Sequence, residues 1–222
     1  MNVDNFKAEE RPDDMLDDIF MKQHELALKY LTIEEGNGLL QTKAIPVDIN
    51  SSAGQARIKD MFWRCTEELM EAMEAYEKKE ETHFYEEIAD AMHFLVEAFI
   101  LADMYPYLNK STNGSDNLET LFNIMAYRLS SPVSFPVIFE TNLRLLLQKF
   151  TQQIGLAANC LKNKPWKQTH MVTDEERFTE MMNASFYAFI RFCKTAGFNA
   201  EGLYNMYVRK HQVNKFRQGS GY

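Results

Sequence analysis

The sequence predicts an all-α protein, a helical bundle built around one antiparallel, carboxylate-bearing helix hairpin. Three observations predict it. Apolar residues recur at helical spacing along most of the chain, alternating strand patterns are missing, and the few glycines and prolines cluster at breaks between the periodic runs. With 45% apolar and 25% charged residues over 222 positions, the balance is that of a globular protein, which excludes low-complexity disorder and fibres. We read one all-α domain over 1–222, with 1–13 expected to be flexible.

Taken in order, the first helix is expected from Asp14 to Tyr30, with Met15, Ile19, Leu26 and Tyr30 as its apolar stripe. The aperiodic stretch from Glu35 to Gln55 reads as a long connection. A second helix is predicted from Arg57 to Lys79 and a third from His83 to Asp103, with Thr82 as N-cap and Pro106 beyond the end. Only a tight turn fits between them, so they form a hairpin. A weaker helix follows from Leu118 to Leu129, and another from Val137 to Lys162. Thr173 with Glu176 forms a capping box that opens a helix to Ala196, where Gly197 stops it; Asn199 caps a last helix from Ala200 to Phe216. Residues 66–72 align weakly with 151–157, and 84–91 with 177–184. Two readings stand: a degenerate second hairpin carrying Gln and Asn in place of acids, or chance matching of amphipathic helices.

Charge is distributed unevenly. The formal net charge is −8, and ten acids against two lysines between Glu67 and Asp90 account for all of it. After Glu201 there is no acid, while Arg209, Lys210, Lys215 and Arg217 make the end basic. An acidic chain is a poor non-specific ligand for nucleic acid or an anionic membrane. Cys65, Cys160 and Cys193 are too scattered for a disulfide framework and read as reduced core residues. No signal core or membrane-length apolar run is present, so a soluble, cytoplasmic protein is expected.

Glu68 and Glu71 are three apart on the second helix, and Glu87 and Asp90 three apart on the third, so each pair shares a helix face. The two pairs lie equidistant from the predicted turn, each about 14 Å away at the α-helical rise. Four carboxylates thereby face each other across the hairpin. Like charges at that range raise each other's pKa, a conflict that a hard divalent cation resolves. All-oxygen ligation favours Mg²⁺, or Mn²⁺, over zinc. Such a site has the chemistry of metal-assisted attack on a phosphoryl group. The competing reading is a solvated acidic face, which suits Glu74, Glu77, Glu80 and Glu81 nearer the turn.

The run Glu67-Glu68-Leu69-Met70-Glu71, followed by Glu87-Ile88-Ala89-Asp90, resembles the E-E-x-x-E … E-x-x-D signature of the all-α nucleoside triphosphate pyrophosphohydrolases, which include dimeric dUTPases and MazG-type enzymes. Asp90-Ala91-Met92-His93-Phe94 is similar to the D-x-x-H-F of the dUTPase branch. The ending from Lys210 to Tyr222 is similar to the K-x-x-x-N-x-x-R-Q-x-x-G-Y ending of phage dUTPase and dCTPase-dUTPase proteins. The resemblance implies Glu68, Glu71, Glu87 and Asp90 as metal ligands, Glu67 or Glu68 as the residue that aligns the attacking water, and Lys210, Asn214 and Arg217 as phosphate contacts. It also implies Gln23 as a reader of the base, although a lone Gln on a polar face is usually solvated. Trp63 is expected in the core, Trp166 is open between core and base stacking, and His93 is expected as a core or supporting residue rather than a ligand. The function so implied is Mg²⁺-dependent hydrolysis of dUTP to dUMP and pyrophosphate by a homodimer in the cytoplasm, the host's if phage-encoded. The alternatives are a dCTP or broader MazG-like activity, and a helical nucleotide-binding or interaction protein without turnover. Residues 35–55 and 109–136 match nothing in the resemblance, so base selectivity stays open.

Overall fold

The computed structural model describes residues 10–38, 44–104, 117–128, 136–164 and 166–220. Much of the expectation for 1–13, most of 109–136 and the final Gly221-Tyr222 lie outside them. The described residues form seven helices and no strand: α1 (Met15–Gly36), α2 (Ser52–Lys78), α3 (Glu81–Leu101), α4 (Asn117–Arg128), α5 (Pro136–Cys160), α6 (Glu175–Thr195) and α7 (Ala200–Gly219). No described helix is long and apolar enough to cross a membrane.

Helix α1 starts where the Asp14 carboxylate accepts the amides of Leu16 and Asp17, and it buries Met15, Ile19 and Leu26. It outruns the predicted end at Tyr30 by six residues. There Arg57 reaches across from α2 to Glu34 at 2.5 Å and to Glu97 at 3.3 Å, tying down a last turn that has no apolar period. Helix α2 begins five residues earlier than predicted because Ser51 caps the amide of Gly54 at 2.9 Å. A side chain at Gly54 would meet the carbonyl of Asp48 at 2.3 Å, so only glycine lets the 48–51 turn lie this close.

The α2–α3 connection is two residues long, Lys79 and Glu80. Lys79 adopts φ 62°, and the Glu80 amide returns to the carbonyl of Ala75 at 2.9 Å, which closes α2 and aims the chain directly into α3. Helix α3 therefore starts at Glu81, and Thr82 lies inside it rather than capping it. Another cap differs from expectation: Asp174, not Thr173, accepts the Arg177 amide and starts α6. Thr173 is buried and instead receives the side-chain amide of Gln55 and donates to the carbonyl of Ile49. Asn199 caps α7 as predicted, accepting from Gly202, and α7 continues three residues past Phe216.

Helices α2 and α3 pack along each other, as do α5 and α6, while α1 and α7 lie against α3. Phenylalanines join these layers. Phe99 of α3 meets Phe20 of α1 edge-on at 6.4 Å and Phe186 of α6 at 5.4 Å. All three cysteines are free and buried, as expected.

Candidate metal and nucleotide site

The short turn sets the register of α2 against α3 and brings the acids together. Glu68, Glu71 and Glu87 each offer a carboxylate oxygen, all within 4.8 Å of one another. Their burial grades from the open Glu71 through the half-buried Glu68 to the buried Glu87. The Glu68 carboxyl is pushed up to about 9, first by burial, then by its hydrogen bond to Glu87 and by the charges of Asp90, Glu87 and Glu71. His83, one turn before Glu87, approaches it at 2.8 Å.

Asp90, the fourth acid expected here, is engaged elsewhere. Lys210 of α7 meets its Oδ2 at 2.6 Å, both side chains being mostly buried. Burial raises the Asp90 carboxyl to about 6 against the opposing pull of Lys210. The geometry is thus three glutamates beside one lysine–aspartate pair. Glu67 lies about 100° around α2 from Glu68, and pairs with Arg64 at 3.1 Å rather than joining the cluster. Asn214 follows Lys210 by one turn on the same face of α7 and is half-buried, and Arg217 is exposed near the helix end.

Two aromatic or polar residues sit where the sequence reading did not put them. Gln23 is only 1% exposed, not solvated. Its Oε1 accepts from His93 Nδ1 at 2.7 Å and from the Tyr207 hydroxyl at 2.9 Å, and its Nε2 donates to Glu97 at 3.0 Å. His93 stacks on Tyr207 at 4.0 Å, and burial, then the charges of His211 and Lys210, hold its pKa down at about 3. It is a neutral core histidine, as expected. Trp63, expected in the core, is 61% exposed. It lies about 140° around α2 from Glu68, off the Ile58, Phe62, Cys65, Leu69 stripe that enters the core.

The sequence reading missed Glu97 and its partner Arg57. The signal was present: a lone acid within the apolar run Phe94 to Leu101 calls for a buried counter-charge. His83 was also legible, four residues before Glu87.

A model of the dUTPase family matches residues 73–222, more than half of the chain. The protein belongs to the dUTPase family. It is a dUTPase-like nucleotide pyrophosphohydrolase, a hydrolase acting on nucleoside triphosphates. No curated protein and no solved structure matches the chain. Within this dUTPase-family match fall Glu87, Asp90, Lys210, Asn214 and Arg217, while Glu67, Glu68 and Glu71 precede it. The place of Glu68 and Glu71 beside Glu87 rests on the geometry of the hairpin.

Proposed function

We propose that the protein hydrolyses dUTP to dUMP and pyrophosphate, using Mg²⁺, or Mn²⁺, held by Glu68, Glu71, Glu87 and Asp90. The observation that carries the reading is the convergence of three glutamate oxygens within 4.8 Å, with the Glu68 carboxyl pushed up to about 9 by burial and by its acidic neighbours. Oxygen-only donors with excess negative charge fit a hard cation. When bound, that cation supplies the charge that lets the acids ionise together and neutralises phosphate oxygens.

The chain's own groups supply the rest. Glu68, once ionised beside the cation, fits a base that takes the proton from the attacking water as the oxygen bonds the α-phosphorus and pyrophosphate leaves. Glu68 suits this better than Glu67, which is turned toward Arg64. Lys210 exchanges Asp90 for a phosphate oxygen, and Asn214 and Arg217 extend the phosphate contact along α7. Gln23 has its amide committed to His93, Tyr207 and Glu97, which fits a residue that aligns α1, α3 and α7 behind the base site. The proposal includes a homodimer, as the resemblance implies, and a cytoplasmic location, as the scattered reduced cysteines suggest.

Incubation of the protein and Mg²⁺ with each deoxynucleoside triphosphate in turn, with the products identified, tests the reading. Monophosphate and pyrophosphate from dUTP alone is the expected result. Turnover of dCTP or of many nucleotides replaces dUTP as the substrate, and no turnover of any nucleotide overturns the activity.

A further inference from the structure

The opposite flank of α2 carries a second, oppositely charged concavity. Lys59 projects about 180° around α2 from Glu68, toward the end of α5 and the chain that follows it. A concavity of about 690 Å³ opens there, lined by Lys59, Asn159, Lys162, Lys164, Trp166 and Lys167 among others, with no acid in its wall; that volume is within the usual range for a small-ligand pocket. Four lysines converge on one hollow of a protein whose net charge is −8.

None of the four is in an ion pair with a carboxylate among the described residues. Lys59 is half-buried and donates to the carbonyl of Leu161, which draws its ammonium into the wall. Burial, and then the charge of Lys164, lower its pKa. Two ammonium groups in each other's field, without a counter-charge, favour an anion between them.

The wall is also preorganised. Asn163, 3% exposed, takes the side-chain carbonyl of Gln55 on its backbone amide at 2.6 Å. Its side chain donates to the carbonyls of Asn50 and Met171 and accepts the Met171 amide. The lysine-bearing segment is therefore held at one end by buried amides rather than left as a solvated tail. Trp166 stands at the rim, 76% exposed, with the Lys164 ammonium 5.3 Å from its ring centre. Most of the indole is open for stacking.

We propose that this concavity binds a nucleoside polyphosphate, its base stacked on Trp166 and its phosphates held by Lys59, Lys162, Lys164 and Lys167. A bare anion would leave the indole unused. An extended strand needs successive aromatic platforms along a basic track, and this wall has one aromatic ring. The site is separate from the carboxylates and needs no metal, so it stands whether or not dUTP is the substrate.

The test is a titration of the full chain in EDTA with α,β-imido-dUTP, following indole emission and bound nucleotide per chain, with tripolyphosphate and oligo-dT as parallel ligands. Saturable binding of one nucleotide per chain is expected, retained in Glu71→Gln. The quench persists in Trp63→Phe and disappears in Trp166→Phe. Lys164→Ala with Lys167→Ala weakens binding about tenfold or more, the loss of one or two charge-assisted hydrogen bonds, while turnover with Mg²⁺ at saturating substrate is unchanged. No saturable binding in EDTA, a quench that survives Trp166→Phe, tripolyphosphate bound as tightly as the nucleotide, or oligo-dT bound more tightly than it would each overturn the proposal.

Discussion

Two helix pairs build most of the core, and they differ in one respect. In α2 and α3 the buried stripe includes Leu69, Ala72, Phe84 and Ile88; in α5 and α6 it includes Ile154, Ala157, Phe178 and Met182. Thr66 and Thr151 each return a hydroxyl to the carbonyl four residues earlier, at 2.8 and 2.9 Å. Beside the first stripe stand Glu68, Glu71 and Glu87. Beside the second stand a buried Gln153, and Asn183 bonded to the carbonyl of Thr179. A helix pair of this kind thus packs well with amides rather than acids beside its buried stripe. Burial and the neighbouring acids raise the proton affinity of Glu68, a cost that packing does not require and that the proposed cation site accounts for.

Removing an acid from the first pair breaks the comparison most strongly. Glu71→Gln or Asp90→Asn is expected to lower turnover about 100-fold or more, with the urea midpoint in EDTA unchanged or raised for Glu71→Gln and lowered for Asp90→Asn, which leaves Lys210 without its counter-charge. Unchanged turnover in both variants would place the reaction elsewhere. The converse substitution, Gln153→Glu, puts a carboxylate at a buried position of the second pair, where a neutral amide stands. It should cost about 1–3 kcal/mol at pH 8, read from urea denaturation, and an unaltered midpoint would mean that this groove tolerates acids as readily as the other.

The third effect is a slope. Glu68 has its folded carboxyl raised from 4.5 to about 9, so across that window the folded chain holds a proton that the unfolded chain has released. Its contribution to stability in EDTA is fully present below pH 4.5 and is lost as pH rises toward 9; Asp90 adds the same sign between 3.8 and about 6. Thermal midpoints in EDTA should therefore fall between pH 6 and pH 9, and Glu68→Gln should flatten the fall. The same slope in the variant would contradict the raised proton affinity of Glu68.

Periodicity and capping made most of this fold legible. The Ile58, Phe62, Cys65, Leu69 stripe and the Asn199 cap are local patterns, and local patterns survive folding. What escaped was set by partners far along the chain. Thr173 reads as a cap until Asn50 and Gln55, more than 100 residues away, claim it. In the site, the spacing of Glu68, Glu71 and Glu87 was enough, because one short turn fixes their register. Asp90 shares that spacing and adds its charge to Glu68, while its pairing with Lys210, which arrives from another helix, left no local signal. Gln23 looked solvated because its partners lie on α3 and α7. Trp63 is different, since helical phase alone put it off the buried stripe and its size suggested otherwise.

The central claim is that the acids of the first helix pair are a cation site. Calorimetric titration of the metal-free protein with Mn²⁺ at pH 8, wild type beside Glu71→Gln, tests it most directly. Saturable binding with release of protons in the wild type, and loss of that binding in the variant, is the predicted result. Equal binding by both proteins, or none by the wild type, would contradict it.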